Sequence, residues 1–152
     1  MASYQEHALD GASPVELVVA LYDGMIRFLH AAIAAVERGE VEGRRAAVKR
    51  ALAIVIHLQA RLRMDIGGRP AQVLSEYYAS IFALIVQASL AASVARFEEV
   101  IEYIRNVRDA WRQVAADPEA QMKTPGKAQQ MPSSIVPQMV PQSDAEPTRW
   151  TA

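Results

Sequence analysis

The 152-residue sequence contains no cysteine. This excludes disulfide frameworks, thiol nucleophiles and thiolate metal sites, and it is compatible with a reducing cytoplasm. The formal net charge of −1 gives no strong overall field to attract nucleic acid or anionic lipid. The amino terminus lacks the regions of a signal peptide, and charged residues interrupt all but one of the long apolar runs. We therefore expect a soluble, cytoplasmic protein that neither inserts into a membrane nor binds nucleic acid.

Motifs for catalysis and for metal binding are also lacking. The sequence has no glycine-rich phosphate loop and no nucleophile elbow. None of its histidines, His7, His30 and His57, stands three residues after a glutamate, which is the spacing used in carboxylate-bridged metal bundles. We therefore predict that the protein is not an enzyme and uses no cofactor or metal.

Proline is scarce in the first part of the chain and abundant in the last part. Six of the eight prolines fall within residues 117–152, among Gln, Ser, Met and Thr residues that show no helical or strand period. This composition predicts a disordered or extended tail at 117–152, after a domain that spans 1–116. We favour an inert tail over a docking motif for its apolar residues, which are Ile135, Val136, Met139, Val140 and Trp150.

Four segments before the tail repeat apolar residues with the 3.6-residue period of an α-helix. The predicted helices span residues 14–38, 42–65, 70–92 and 94–116. Ser13 and Glu16 form a capping box around Pro14, and Gly39 suits the end of the first helix. A Gly-Gly pair and Pro70 separate the second helix from the third. Short links between helices of similar length predict an all-α fold, namely an antiparallel up-down-up-down four-helix bundle.

The first three helices carry more apolar residues than one-sided packing requires, whereas the fourth has one apolar face opposite a charged face. In the third helix, Glu76 is the only charged residue between Pro70 and Ala95. The surplus fits two alternatives equally well: burial within the bundle or in a homodimer, and a groove for an amphipathic partner segment. The surplus residues of the second and third helices are Ile54, Ile56, Met64, Phe82, Val86 and Leu90.

We expect the basic, acidic and tyrosine side chains of the predicted helices to have structural and not catalytic roles. The basic cluster at the start of the second helix is expected to be a solvated face that can steer an acidic protein partner. Asp23 is expected to pair with Arg27, one helical turn later. Tyr22, Tyr77 and Tyr78 are expected to be core or boundary residues whose hydroxyls reach the edge of the bundle.

Several segments together resemble one family. Residues 13–24 read S-P-V-E-L-V-V-A-L-Y-D-G, and further matches are I-G-G-R-P-A at the helix break, L-S-E-Y-Y in the third helix and R-D-A-W in the fourth. These motifs resemble the flagellar secretion chaperone FliS family, whose first helix follows S-P-x-x-L-[aliphatic]-x-x-L-[YF]-D-G. The resemblance covers residues 4–116. The third helix departs from the family pattern at Arg69-Pro70, Tyr77-Tyr78 and Ala88-Ser89, and the proline-rich tail lies outside the family core.

The resemblance implies a cytosolic, ATP-independent chaperone that binds the disordered carboxy-terminal region of flagellin stoichiometrically. Such a chaperone prevents premature polymerisation and presents flagellin to the type III export apparatus, whose gate components are then further partners. In this family the segment before the first helix can lie over the binding groove, so Tyr4 is expected to cap it. The hypothetical flagellin-binding residues are Tyr4, Ile54, Ile56, Met64, Phe82, Val86 and Leu90. The alternative function is a self-associating helical-bundle adaptor in an export or signalling complex.

Overall fold

The computed structural model describes residues 13–62 and 64–117, with the side chains of residues 64–66 left out. The described residues form four helices and no strand. The predicted all-α four-helix bundle is confirmed. The helices are α1 (Pro14–Glu37), α2 (Val41–Ala60), α3 (Met64–Ala91) and α4 (Val94–Ala115).

Each helix packs beside the helix that follows it, and α4 closes the bundle against α1. Near the start of α2, Arg44 Nε donates a hydrogen bond to Ser89 Oγ, near the end of α3, at 3.2 Å. Near the end of α2, Gln59 Nε2 donates to Ser75 Oγ in the first half of α3 at 2.7 Å. These contacts show that α2 and α3 run antiparallel, as the short links predict.

The helix ends follow the predicted capping signals. The Ser13 hydroxyl accepts a hydrogen bond from the Glu16 amide at 3.1 Å, and the Glu16 carboxylate accepts one from the Ser13 amide at 2.9 Å. This reciprocal pair is the capping box. Gly39 adopts a φ of +69° after α1, and Ser93 caps α4 by accepting from the Arg96 amide at 3.1 Å. Local sequence therefore sets most of the helix boundaries.

The break between α2 and α3 differs from the prediction. α2 ends at Ala60 rather than at residue 65, and α3 begins at Met64 rather than at Pro70. Gly68 interrupts α3 with φ +60° and ψ −147°, which lies close to a region that essentially only glycine enters. A helical turn therefore precedes the kink. The apolar period did not reveal that turn because the glycines interrupt the pattern.

The end of α3 contains a left-handed residue that is not glycine. Ala92 has a φ of +47°, its amide bonds to the Ser89 carbonyl, and the Ser93 amide bonds to the Ala88 carbonyl. This Schellman arrangement usually places glycine at the left-handed position. We expect Ala92→Gly to raise the free energy of unfolding by about 0.5–1 kcal/mol, because it relieves the left-handed strain.

Urea unfolding monitored by circular dichroism measures this change in stability. The matched control is Ala79→Gly, at an exposed helical position of α3, which should lower the free energy of unfolding by up to about 1 kcal/mol. Destabilisation by both substitutions would contradict the strain at Ala92.

Aromatic residues fill the centre of the bundle. Tyr22 of α1 and Tyr78 of α3 are fully buried, and their hydroxyl oxygens lie 2.9 Å apart in a hydrogen bond. The Tyr77 hydroxyl donates to the Tyr103 carbonyl at 3.3 Å, and Trp111 of α4 is also buried. The predicted core position of the three tyrosines is confirmed. The expectation that the hydroxyls reach the edge is wrong for Tyr22 and Tyr78, because these two groups satisfy each other inside the core.

Two helical stretches, Pro14–Glu37 and Gly67–Ala91, are long and apolar enough, by length and composition alone, to cross a membrane. This differs from the expectation that charges interrupt nearly every apolar run. Both stretches supply the core of the bundle, through residues such as Tyr22 and Tyr78. However, only 33% of the apolar window in Gly67–Ala91 is buried, against 44% in Pro14–Glu37. Phe82, Leu84 and Val86 of α3 are only half-buried and Leu90 is exposed, so part of the apolar surface of α3 remains uncovered.

Candidate partner-binding groove

An open groove of about 460 Å³ runs between α2 and α3, and we call it the α2–α3 groove. Its walls are mainly apolar. The Ile56 side chain is 56% exposed, and Phe82 is half-buried. A large aliphatic residue and an aromatic residue are thus only partly covered by their own bundle. The lining residues are Arg45, Val48, Lys49, Leu52, Ala53, Ile56, Phe82 and Ser89.

Helical spacing accounts for this groove. Lys49, Ala53 and Ile56 follow one another at i, i+4 and i+7, so they form a stripe along α2. Phe82 and Ser89 are likewise seven residues apart on α3. Small side chains at Ala53 and Ser89 leave space between the two helices, and the larger Ile56 and Phe82 form the apolar end. The groove is therefore a consequence of residue size at fixed helical positions.

The charged residues that line the groove are Arg45 and Lys49, and both are cationic. Both lie toward the start of α2, whereas Ile56 lies one turn before its end. Arg44, next to this basic pair, is bound to Ser89. The groove thus has an apolar end and a basic end. This arrangement suits a partner segment that carries apolar side chains followed by carboxylates.

The structure places the hypothetical binding residues at different sites. It brings Ile56 and Phe82 together in the groove. Val86 is half-buried on α3 and Leu90 is 83% exposed, and neither lines the groove. Ile54 lies on another side of α2, because two residues correspond to a rotation of about 200°. It packs against α1, where its Cδ1 atom lies 3.1 Å from the position that a Cβ at Gly24 would occupy.

Two hypothetical binding residues cannot be placed in this groove. Tyr4 lies outside the described residues, and so does the side chain of Met64. Conversely, Val48 and Leu52 line the groove, although neither is among the hypothetical binding residues. Their spacing of eight and four residues before Ile56 is the signal that could have identified them.

On the side of α2 that packs against α1, two arginine side chains lie near the Phe28 ring of α1. The guanidinium groups of Arg27 and Arg50 each lie 5.8 Å from the centre of the Phe28 ring, within range of a cation–π interaction. Asp23 does not pair with Arg27 as predicted. It contacts Arg108 of α4 at 3.0 Å. The two arginine side chains thus lie over the Phe28 ring on that side of α2, whereas Ile56 on the groove side is 56% exposed.

Comparison with known proteins assigns the chain to a family. The protein-family model described as "Flagellar protein FliS" matches residues 1–118. The chain belongs to the FliS family. The FliS match includes all four helices and ends just beyond α4, so residues 119–152 lie outside it.

Relatives of this FliS family member carry a common description, "Flagellar secretion chaperone FliS". The Campylobacter jejuni protein is 34% identical over 112 residues, which is 74% of this chain and 88% of the relative. The Salmonella typhimurium protein is 33% identical over 111 residues, covering 72% of this chain and 82% of the relative. The Bacillus subtilis protein is 28% identical over 111 residues, covering 73% and 82%. These relatives are named as chaperones and not as enzymes.

The chemistry of the described residues agrees with a binding role. The groove offers apolar contacts and cationic side chains. Such a surface can bind and release a polypeptide segment.

Proposed function

We propose that the protein is a flagellin-specific export chaperone whose α2–α3 groove binds the carboxy-terminal region of flagellin. In this proposal the chaperone acts in the cytosol, binds one flagellin per chaperone, and hands flagellin to the flagellar type III export apparatus. The observation that carries the proposal is the apolar groove, with Ile56 and Phe82 partly exposed, in a bundle of the flagellar secretion chaperone family.

The physical basis is competition for apolar surface. An amphipathic segment must cover its apolar face to assemble with its neighbours, and a groove that covers the same face blocks assembly. Ordering a flexible segment on the groove costs part of the contact free energy. The complex is then specific but weak enough to release its cargo at the export gate.

Other parts of the chain are assigned under the same proposal. Residues 1–116 form the chaperone unit, and residues 117–152 form a separate tail. Tyr4 covers a part of the flagellin-binding surface outside the groove when flagellin is absent. Ile54, Met64, Val86 and Leu90 extend the flagellin contact beyond the groove, because a segment long enough to cross several helix faces can reach them.

Titration of the full chain with a peptide from the carboxy terminus of flagellin tests this function. We expect saturable one-to-one binding by calorimetry, together with a gain of helical signal by circular dichroism. Absence of heat and of any change in helicity would contradict the proposal. If the protein instead sedimented as a dimer that ignored the peptide, the self-associating adaptor would be the better description.

A further inference from the structure

In place of the inert tail expected from composition, we propose that residues 135–146 of this chain's own tail occupy the α2–α3 groove when no cargo is bound. This inference rests on the proposed function in one respect, since it makes the tail a competitor of flagellin for the same groove. The occupant is identified by its sequence, by its charge and by the place where α4 ends.

The sequence of the tail has the two features that the groove requires. Apolar residues occur at four positions within Ile135–Val140, and two acidic residues follow at Asp144 and Glu146. These are the only charged residues between Lys127 and Arg149. The segment lies beyond the FliS family match, which ends at residue 118. It is therefore a feature of this chain in addition to the chaperone domain.

The order of these features matches the order of contacts along the groove. From Ile56, Lys49 is about 10 Å away along α2 and Arg45 is about 16 Å away, at 1.5 Å per residue. In an extended segment, Asp144 and Glu146 lie about 12 and 19 Å beyond Val140. With Val140 beside Ile56, the two carboxylates thus reach the two cationic side chains.

The direction of the chain agrees with this order. A link of only two residues joins α3 to α4, and the two helices pack side by side, so α4 ends near the start of α3. Because α2 and α3 run antiparallel, this is also the end of the bundle where α2 ends. The tail therefore starts at the end of the bundle that carries Ile56. Apolar residues of the tail meet the apolar end of the groove first, and the acidic residues lie farther along, toward Lys49.

The length of the tail is sufficient to reach the groove. Seventeen residues lie between Asp117 and Ile135, and they span up to about 55 Å when extended. Each helix of the bundle is about 33 Å long. Pro137 and Pro141 within the segment favour an extended backbone and remove two amide donors, so the segment needs few backbone partners in the groove.

A docked tail would keep the apolar groove covered and would reduce the fraction of chaperone that is ready to bind flagellin. If about nine of ten molecules hold the tail in the groove, the apparent Kd for flagellin is about tenfold higher than the intrinsic one. Flagellin must then displace the tail. The tail would select for segments that bind more tightly than it does.

Because the chain has no cysteine, one introduced cysteine carries a spin label cleanly. We would label Gln138→Cys in the full chain, without flagellin, and record amide signals. Loss of signal for Lys49–Ile56 and Phe82–Ser89, independent of protein concentration, supports docking. In the same labelled chain, Ile135→Asp with Val140→Asp should restore those signals. No loss, or a loss that grows with concentration because a second copy supplies the tail, would overturn the proposal.

A second measurement separates this proposal from the proposed function. In full chains, Asp144→Lys with Glu146→Lys should lower the apparent Kd for the flagellin peptide up to about tenfold. The matched control, Lys123→Glu with Lys127→Glu, changes the tail charge outside the docked segment and should leave that Kd within about twofold. An unchanged Kd in the first variant would overturn the tail proposal alone. If the peptide never bound, the spin-label result would still decide whether the tail docks.

Discussion

Substitution of Ile56 by aspartate is expected to weaken binding of the flagellin peptide by roughly 30- to 150-fold, or about 2–3 kcal/mol. The variant removes apolar area from the apolar end of the groove and places a carboxylate against the apolar face of the cargo. Because the Ile56 side chain is 56% exposed in the free protein, the substitution leaves the core intact. Calorimetric titration measures the change in Kd.

Val41→Asp is the matched control. Val41 lies at the start of the same helix, is 47% exposed and does not line the groove. Aspartate is also well tolerated in the first turn of a helix. We expect this variant to bind the peptide within about twofold of the parent chain, a difference of less than about 0.5 kcal/mol. Equal losses in the two variants would show that general charge, and not the groove, determines affinity.

Competition from the tail affects this comparison in a known direction. Ile56→Asp also weakens docking of the tail and so raises the fraction of molecules whose groove is free. This gain hides part of the loss of affinity for the flagellin peptide. Repeating both titrations in a chain that carries Asp144→Lys and Glu146→Lys removes this offset. The difference between Ile56→Asp and Val41→Asp should then be larger.

Alkaline pH is expected to destabilise the fold strongly. Burial raises the pKa of the Tyr22, Tyr77 and Tyr78 hydroxyls well above the usual value. For Tyr78, the neighbouring Tyr22 raises the pKa further. The unfolded chain releases these protons near pH 10 while the folded chain retains them, so the unfolded state binds fewer protons. The stabilisation is therefore complete below about pH 10 and is lost as the pH rises above it.

The slope of this loss has a calculable upper bound. Three tyrosines that ionise only in the unfolded state lower the free energy of unfolding by up to about 4 kcal/mol per pH unit. The double substitution Tyr22→Phe with Tyr78→Phe removes two of the three ionisable groups. Because both hydroxyls of the hydrogen bond are removed, neither is left without the other. The slope should fall to about 1.4 kcal/mol per pH unit.

Urea unfolding between about pH 9 and pH 11 measures both slopes. At neutral pH, the double variant should have nearly the same free energy of unfolding as the parent chain, because both hydroxyls of a buried hydrogen bond are removed together. Identical alkaline slopes in the parent chain and the double variant would mean that the tyrosine pair does not control stability in this range.

The helix ends and the two-faced character of α4 were predictable because residues close together in the sequence determine them. Ser13 and Glu16 satisfy each other's backbone amides whatever the bundle does, and α4 separates its apolar and charged residues cleanly. The motif S-P-V-E-L-V-V-A-L-Y-D-G likewise identified the family from a short stretch. These features depend on residues close together in the sequence.

The groove was predictable only in part because it depends on which helices become neighbours. Periodicity indicated that Ile54 and Ile56 exceed the core face, but both could not be assigned to one surface without knowing that α1 and α3 flank α2. Ile54 packs against Gly24, whereas Ile56 and Phe82 line the α2–α3 groove. Similarly, the pairing of Asp23 with Arg108 joins residues 85 positions apart, and no spacing rule within one helix can find it.

The central claim is that the α2–α3 groove holds the flagellin segment, and a photoreactive label in the groove tests it most directly. The label is attached through Ala53→Cys, which lines the groove, or through Asn106→Cys on the exposed face of α4. After illumination with the flagellin peptide, the label at residue 53 should form a cross-link and the label at residue 106 should not. Equal cross-linking from both positions, or cross-linking from residue 106 alone, would contradict the claim.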